Sequence, residues 1–459
     1  MTDPPNPPEQ PEDTPSSSSD PNSLRNPPKP PSPQLSFPLN YLHVLVQFLI
    51  LISLLPYHAT LYSLFPSKRP RKSWTLLDTV FLFAVKRYLA MIDTAGFKIS
   101  ARDVFSKPRG FGLRRFMSGT TFEWIDEGDV EEDLVQGSII DDEDVEMRTK
   151  VGCFSWYRKE RRSGKGTEKC LEFAREEGEL VGIFFHGGAF THNSAHPKSQ
   201  STVMPLTIFN REKRFVSMHS VEFRLLPGYP FPAQLQDAVT VFIALLKRGV
   251  KAHEIVLMGD SSGANIALSL ARWVRDSIEE GKGFERVVRG KDGTERNWTL
   301  GNPGGLVLFS PWIDPSHSFL NCKPEDYVPR TNSCDYILEE GPFRHHLVHN
   351  LLGHHPLNLV LSPYLSSGRL GLPPRTFLNY PPCFVSYGTG ERGQLECERL
   401  VEYLVRDGNK VEVVRTEDTV HDVLLLGFWK REQREEVWKG ALRFLEGIPK
   451  ERERSSGSM

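Results

Sequence analysis

The sequence predicts an α/β fold, with a mostly parallel central sheet, helices on both faces and apolar N-terminal helices ahead of it. Short buried-strand runs recur at Leu180–Phe185, Arg214–Phe223, Glu254–Met258, Gly305–Phe309, Pro382–Tyr387 and Lys410–Arg415. Helical stretches alternate with them at Pro232–Arg248, Gly263–Glu280, Glu396–Asp407 and Arg431–Leu445, the pattern that parallel strands joined by crossover helices require. One junction is more specific. Ile255-Val256-Leu257-Met258 reads as a buried strand, Ala264-Asn265-Ile266-Ala267-Leu268 opens a helix, and Gly259-Asp260-Ser261-Ser262-Gly263 joins them. So sharp a turn leaves no room for Cβ atoms at its two glycines and lifts the central serine above the sheet.

The 459 residues are 39% hydrophobic and 25% charged, a globular balance that can fill a large core. A net charge of −2 argues against a protein held to nucleic acid by a basic face, since that binding depends on neutralising phosphates. Cys153, Cys170, Cys322, Cys334, Cys383 and Cys397 lack C-x-x-C spacing, which argues against a zinc site or a disulfide framework. One or two bridges and buried free thiols are the two readings left.

Residues 1–36 are dominated by Pro, Ser, Asn and Asp and read as a disordered tail, as does 451–459. From Phe37 to Phe65 no residue is charged. That run reaches the roughly 20 apolar residues a spanning helix needs if Pro56, Tyr57 and His58 are tolerated near one end. It reads as a membrane-spanning or interfacial helix; the alternative is an apolar helix packed over the active-site mouth. Lys68, Arg69, Arg71 and Lys72 follow it, which by the positive-inside bias places the C-terminal bulk in the cytosol. Trp74 to Ile92 is amphipathic, either a cap helix or one lying on a bilayer, and 66–150 as a whole reads as cap and linker. The acidic stretch Glu123–Glu146 and the basic stretch Arg158–Lys169 read as solvated loop or hairpin faces. The catalytic unit is expected at 151–450, with a polar surface insertion at about 281–304.

In the Gly-Asp-Ser-Ser-Gly turn the central residue, Ser261, is the candidate nucleophile. A second loop, His186-Gly187-Gly188-Ala189-Phe190, follows the strand run Val181–Phe185. Negative charge developing on a tetrahedral intermediate needs backbone N–H groups aimed at it, and small residues let a substrate approach. Gly187, Gly188 and Ala189, with the residue after the nucleophile, Ser262, are the candidate oxyanion donors. For Ser262 the useful group is the backbone N–H and not the hydroxyl.

Taken together these motifs resemble the hormone-sensitive-lipase-like branch of the α/β-hydrolases, over about Leu180 to Glu446. His186-Gly187-Gly188 is similar to that branch's HGG loop, with Ala189 where a third glycine is common, and Gly259-Asp260-Ser261-Ser262-Gly263-Ala264-Asn265 to its GDSAGGN elbow. Phe223-Arg224-Leu225-Leu226-Pro227, then Pro230-Phe231-Pro232-Ala233 and Asp237-Ala238, look like its YRLAP…FPA…DA segment, and Phe309-Ser310-Pro311-Trp312 also fits. The resemblance implies an α/β-hydrolase fold with the chain order Ser, acid, His. It places the base at His421, in Asp418-Thr419-Val420-His421-Asp422, whereas His345, His346, His354 and His355 lie in a Pro- and Gly-punctuated stretch and read as cap or surface residues. The acid falls on Glu391 in Gly388-Thr389-Gly390-Glu391, where relatives carry Asp; Asp422 is the next candidate.

The resemblance implies a serine carboxylic-ester hydrolase working through an acyl-enzyme on Ser261, without metal or organic cofactor. The apolar N-terminal segment, together with a likeness to membrane-anchored arylacetamide-deacetylase-like and steryl-acetyl-hydrolase-like enzymes, points to small lipophilic, short-acyl esters. Deacetylation of a sterol-like compound at the endoplasmic reticulum membrane is the expectation. The alternative is a non-catalytic ligand-binding module on the same fold, as in plant gibberellin receptors.

Overall fold

The computed structural model describes residues 32–108, 119–125, 128, 130–158, 178–289, 295–338 and 341–448. The expectations for most of the N-terminal tail, for 451–459, for Cys170 and for nearly all of the basic stretch fall outside them. The strands are β1 (Thr120–Ile125), β2 (Val151–Tyr157), β3 (Leu180–Phe185), β4 (Phe215–Glu222), β5 (Ile255–Asp260), β6 (Glu285–Arg289), β7 (Glu295–Thr299), β8 (Gly305–Phe309), β9 (Cys383–Gly388) and β10 (Val411–Thr416). Eight of them form one sheet in the order β1-β2-β4-β3-β5-β8-β9-β10. The six strands from β4 to β10 pair in parallel, while β1 and β2 run antiparallel at one edge.

Side-chain alternation along these strands builds two cores. Val181, Ile183 and Phe185 of β3 and Leu257 of β5 point into one; Leu180, Phe184, Val256 and Met258 point into the other. Helices α4 (Ala233–Lys247), α5 (Ser262–Glu279) and α7 (Gln394–Arg406) cover the first face, and α3 (Val203–Arg211) and α8 (Arg431–Glu446) the second. Strands buried on both faces have to read as continuous apolar runs, which is why these were legible in the sequence. A further helix, α6 (Pro342–Leu352), crosses the stretch between β8 and β9.

One boundary and two local readings are refined by the structure. The sheet takes in β1, ahead of the expected start at 151, because Thr-Thr-Phe-Glu-Trp-Ile is a β-branched and aromatic run that pairs with β2 over its whole length. Glu123, inside the acidic stretch, is not a solvated charge. Burial works against its ionisation, but hydrogen bonds from His219, Ser155 and Tyr157 and the His219 charge hold its carboxyl down at about 2. The expected polar insertion carries the antiparallel hairpin β6–β7, with Trp298 buried and Asn297 exposed. Cys153, Cys322, Cys334, Cys383 and Cys397 are all free thiols.

Helix α1 (Leu39–Leu64) runs through Pro56 and has no buried residue. It is the one helix among the described residues long and apolar enough to cross a membrane. It lies along α2 (Leu76–Ala95), where the His58 ring sits tilted against Phe83 with centroids 4.1 Å apart and Arg87 donates to Gln47 at 3.1 Å. Thr75 and Asp78 form a capping box that starts α2. Just before it, Trp74 is buried edge-on against Trp429 and donates from Nε1 to the Asp418 carbonyl at 2.8 Å. Ser73 donates to Asp418 Oδ2 at 2.6 Å, and Arg71 reaches Asp418 Oδ1 at 3.2 Å, with Asn332 and the Thr389 carbonyl beside it. The amphipathic segment is thus a brace on the main body. Trp74→Ala should lower stability by about 3–5 kcal/mol, the usual cost of emptying a buried indole site, and urea unfolding at constant m-value checks it.

Candidate active site

The parallel register brings the C-terminal ends of β3, β5, β8, β9 and β10 to one rim, where open α/β sheets bind ligands. At the end of β5 the chain reverses into α5 within the Gly259–Gly263 turn. A Cβ on Gly259 would meet the Gly263 carbonyl carbon at 2.4 Å, and one on Gly263 would meet the Phe185 carbonyl oxygen at 2.1 Å. Both positions have to be glycine. Between them Ser261 is forced to φ 50°, ψ −120°, a backbone state an L-residue holds only when its surroundings impose it. Hydrogen bonds from Ser261 N–H to the Phe309 carbonyl and from Trp312 N–H to the Ser261 carbonyl, each 3.0 Å, hold it there.

His421 arrives on the loop after β10, and its Nε2 lies 2.9 Å from Ser261 Oγ. Its Nδ1 faces Glu391 Oε2 at 3.4 Å. The other carboxylate oxygen of Glu391 is fixed: Ser310 Oγ donates to it at 2.6 Å and the Gly388 N–H at 2.7 Å. Ser310 also accepts from the Asp422 N–H at 3.0 Å, tying the acid loop to the histidine loop. The structure brings Ser261, His421 and Glu391 together across 160 residues of sequence.

Asp422, the rival acid, sits on the wrong nitrogen for that role. Its Oδ2 is 3.2 Å from His421 Nε2, the side that faces Ser261, whereas an orienting acid accepts from Nδ1. Its place is nonetheless consequential. Burial alone would lower the His421 pKa, but the Asp422 and Glu391 carboxylates outweigh it and hold the imidazole well above the usual histidine range. Asp422 is itself raised by burial against the pull of His421. Asp260 is driven well above the carboxylate range by burial first and by Asp422 second. Asp335, which accepts from the Arg392 N–H at 2.9 Å and lies under His421, is pushed by burial to about 6.

The oxyanion loop departs from expectation at one residue. The Gly187 N–H donates to Asp260 Oδ1 at 2.8 Å and so faces away from any substrate. The N–H groups of Gly188, Ala189 and Ser262 have no acceptor among the described residues. Gly188 at φ 115°, Ala189 at φ 52° and Phe190 at φ 57° curl the backbone there, so Ala189 takes up a conformation glycine favours. The Ser262 hydroxyl, expected to be idle, accepts from the Phe190 N–H at 3.2 Å and fastens this loop to the elbow. Only the spatial proximity of the two loops reveals that contact. His186, buried and stacked at 4.3 Å on Phe223, is held neutral by burial at about 4 and supports the loop from behind.

A hydroxyl against an imidazole whose second nitrogen faces a carboxylate, beside free backbone N–H groups, is the arrangement that turns serine into a nucleophile. The fold and this site define a serine-hydrolase-like α/β protein. The chain belongs to the alpha/beta hydrolase fold family, whose profile residues 182–425 match, over half of the sequence. It is similar to an acetyl-hydrolase of Streptomyces hygroscopicus, 27% identical over 46% of this chain and 59% of that one. It also resembles human arylacetamide deacetylase-like 2, 34% identical over 21% of this chain and 25% of that one. The gibberellin receptor GID1A of Arabidopsis thaliana is 34% identical over 21% of this chain and 29% of the receptor. The match thus spans less than two thirds of each of these relatives. Among solved structures, the hormone-sensitive-lipase homologue EstE7 from a metagenome library is 18% identical over 80% of this chain and 97% of that one, with a TM-score of 0.49.

The electrostatics generate a test. Asp422→Asn removes one of the two carboxylates that raise the His421 pKa, so the imidazole should become neutral at lower pH. Labelling of Ser261 by a fluorophosphonate needs the neutral imidazole, and its acid limb should move to lower pH in the variant. Superimposable pH profiles for parent and variant would show that Asp422 does not act on His421.

Proposed function

We propose that this protein is a serine carboxylic-ester hydrolase acting on lipophilic, short-acyl esters, and that Ser261, His421 and Glu391 are its catalytic residues. The observation that carries the reading is the 2.9 Å contact between Ser261 Oγ and His421 Nε2, with Glu391 on the opposite ring nitrogen. In this mechanism Ser261 attacks the ester carbonyl carbon while its proton passes to His421 Nε2. Glu391 stabilises the imidazolium from Nδ1 without taking the proton. The N–H groups of Gly188, Ala189 and Ser262 receive the oxyanion. Collapse expels the alcohol, which leaves with the proton from Nε2. Water, deprotonated by the same imidazole, then releases the acid and restores Ser261.

The names of two relatives, an acetyl-hydrolase and an arylacetamide deacetylase-like protein, support a short acyl group. The exposed apolar α1 supports a lipophilic substrate met at a membrane. We therefore assign the protein to the endoplasmic reticulum membrane as a deacetylase of sterol-like or comparable compounds, its catalytic unit on the cytosolic side. The receptor among the relatives favours a second reading, a ligand-binding module that does not turn over. Against that reading stands an imidazole in hydrogen-bonding reach of the elbow serine.

Hydrolysis of p-nitrophenyl acetate or butyrate by the purified protein separates the two. Ser261→Ala should lower kcat by about 10⁴ or more, as loss of a serine nucleophile does elsewhere. Glu391→Gln should cost on the order of 10²–10⁴, mostly in kcat, because the imidazolium exists only along the reaction path. Glu391→Asp should recover part of it. A parent protein with no turnover would leave the binding-module reading.

Anchoring and topology have their own measurements. α1 should keep the protein in the pellet after alkaline carbonate washing, and release to the supernatant would make it peripheral. Asn297-Trp298-Thr299 is an N-x-T acceptor with an exposed asparagine on the β6–β7 hairpin. A cytosolic catalytic unit predicts that it carries no glycan; a glycosidase-sensitive mass shift would place the unit in the lumen.

A further inference from the structure

Away from the elbow, two segments that sequence reading kept apart meet at one point. The connection between β1 and β2 carries Asp142 and Asp144, and the turn that ends α6 carries His354 and His355. The ligand atoms of Asp142, His354 and His355 all lie within 4.8 Å of one another. His354 Nε2 is 3.5 Å from Asp142 Oδ1 and 3.4 Å from Asp144 Oδ2, and His355 Nε2 is 2.7 Å from Asp142 Oδ2. Nitrogen and oxygen ligands at about 2.0–2.1 Å from a tetrahedral zinc ion stand about 3.3–3.4 Å apart. Two of the three separations are already close to that edge.

The second observation is how these groups face one another. The Asp142 side chain is only 3% exposed, and its two carboxylate oxygens are faced by His354 Nε2 and His355 Nε2. The His355 ring also hydrogen-bonds to the Phe231 backbone. Both imidazoles thus turn a ring nitrogen toward one buried carboxylate, a donor set that a divalent cation would gather in place of the direct contacts. A metal-bound histidine donating its other N–H to a backbone carbonyl is also the usual way such rings are oriented. Asp142 is pre-set as well, since its Oδ1 accepts from the Asp144 and Val145 N–H groups at 2.8 and 3.2 Å.

We propose that Asp142, His354 and His355, with Asp144 or water as fourth ligand, form a binding site for a zinc-like divalent transition metal. Mixed imidazole and carboxylate donors suit such an ion better than calcium or magnesium, which take oxygen ligands alone. The site clamps the 141–145 loop to the C-terminus of α6, and through Phe231 to the segment that enters α4. It is structural: no atom of it belongs to the Ser261 constellation.

The experiment uses the full-length, untagged protein stripped with EDTA and dialysed. Titration with zinc chloride, followed calorimetrically, should show one equivalent bound per chain and a higher Tm. Cobalt(II) should give the intense visible bands of a tetrahedral nitrogen–oxygen site. His355→Gln and Asp142→Asn should each abolish the equivalent, the Tm increment and the cobalt bands. Their Tm in EDTA should match that of the parent in EDTA, which shows that the variants fold. Parent protein that takes up no zinc, or variants that take up the same equivalent with the same Tm increment, would overturn the proposal.

Discussion

The site depends on how closely the start of α5 approaches the end of β3. Gly263 lies against the Phe185 carbonyl with space for a hydrogen and nothing larger. That approach makes the turn sharp enough to force Ser261 into a positive-φ state, at a cost of about 1–3 kcal/mol that the rest of the fold has to offset. It also sets the elbow beside the His186–Phe190 loop, because that loop begins where β3 ends. The Ser262 hydroxyl then reaches the Phe190 N–H, and Asp260 reaches the Gly187 N–H. The candidate nucleophile and the candidate oxyanion donors are therefore placed by one backbone contact and not by two independent loops.

The electrostatics follow from burying so many carboxylates round one imidazole. Asp260, Asp335, Asp422 and Glu391 are all under 6% exposed, and a low-dielectric pocket does not hold four negative charges against one positive one. The pocket responds unevenly. Asp260, Asp335 and Asp422 shift toward their protonated forms, while Glu391 collects donated hydrogen bonds from Ser310 and Gly388. Environments that separate neighbouring acids in this way assign them different work. Asp260 serves the loop, Asp335 the backbone of the 335–336 and 391–392 turns, and Glu391 the imidazole. The longer reach of glutamate, set against the aspartate of the resembled family, is taken up by these two donors, which leave Oε2 directed at Nδ1.

What could be read from sequence was what local spacing encodes. Strands β3, β5, β8 and β9 were visible because burial on both faces leaves largely apolar residues, and Ser261 because its turn needs two glycines at fixed positions. His421 came from chain order. Features that depend on distant partners stayed hidden. Gly187 and Asp260 are 73 residues apart, so the capture of that N–H has no sequence signal. β1 was masked by the acidic run it sits in, although its β-branched and aromatic residues were the signal that could have found it. The stretch holding His345 and His346 looked irregular because Gly341, Pro342 and Gly353 punctuate it. In the structure those residues are the boundaries of α6, with Pro342 in its first turn and Gly353 at its C-cap, which is where helices tolerate them best.

The N-terminal helices are more than a tether. The short segment between α1 and α2 contacts both loops that complete the site. Trp74, Ser73 and Arg71 engage Asp418, three residues before His421, and Arg71 also reaches the Thr389 carbonyl, two residues before Glu391. Asn332, bound to that same arginine, donates to the Thr389 and Glu391 carbonyls at 3.0 and 2.8 Å. Lys86 of α2 donates to the Asp335 carbonyl at 3.0 Å. Loops are where this fold class puts its acid and base, and loops have few contacts of their own to fix them. Here the missing rigidity comes from the helical hairpin that also presents the apolar α1 surface. Whatever positions that hairpin acts directly on the backbone that carries His421 and Glu391.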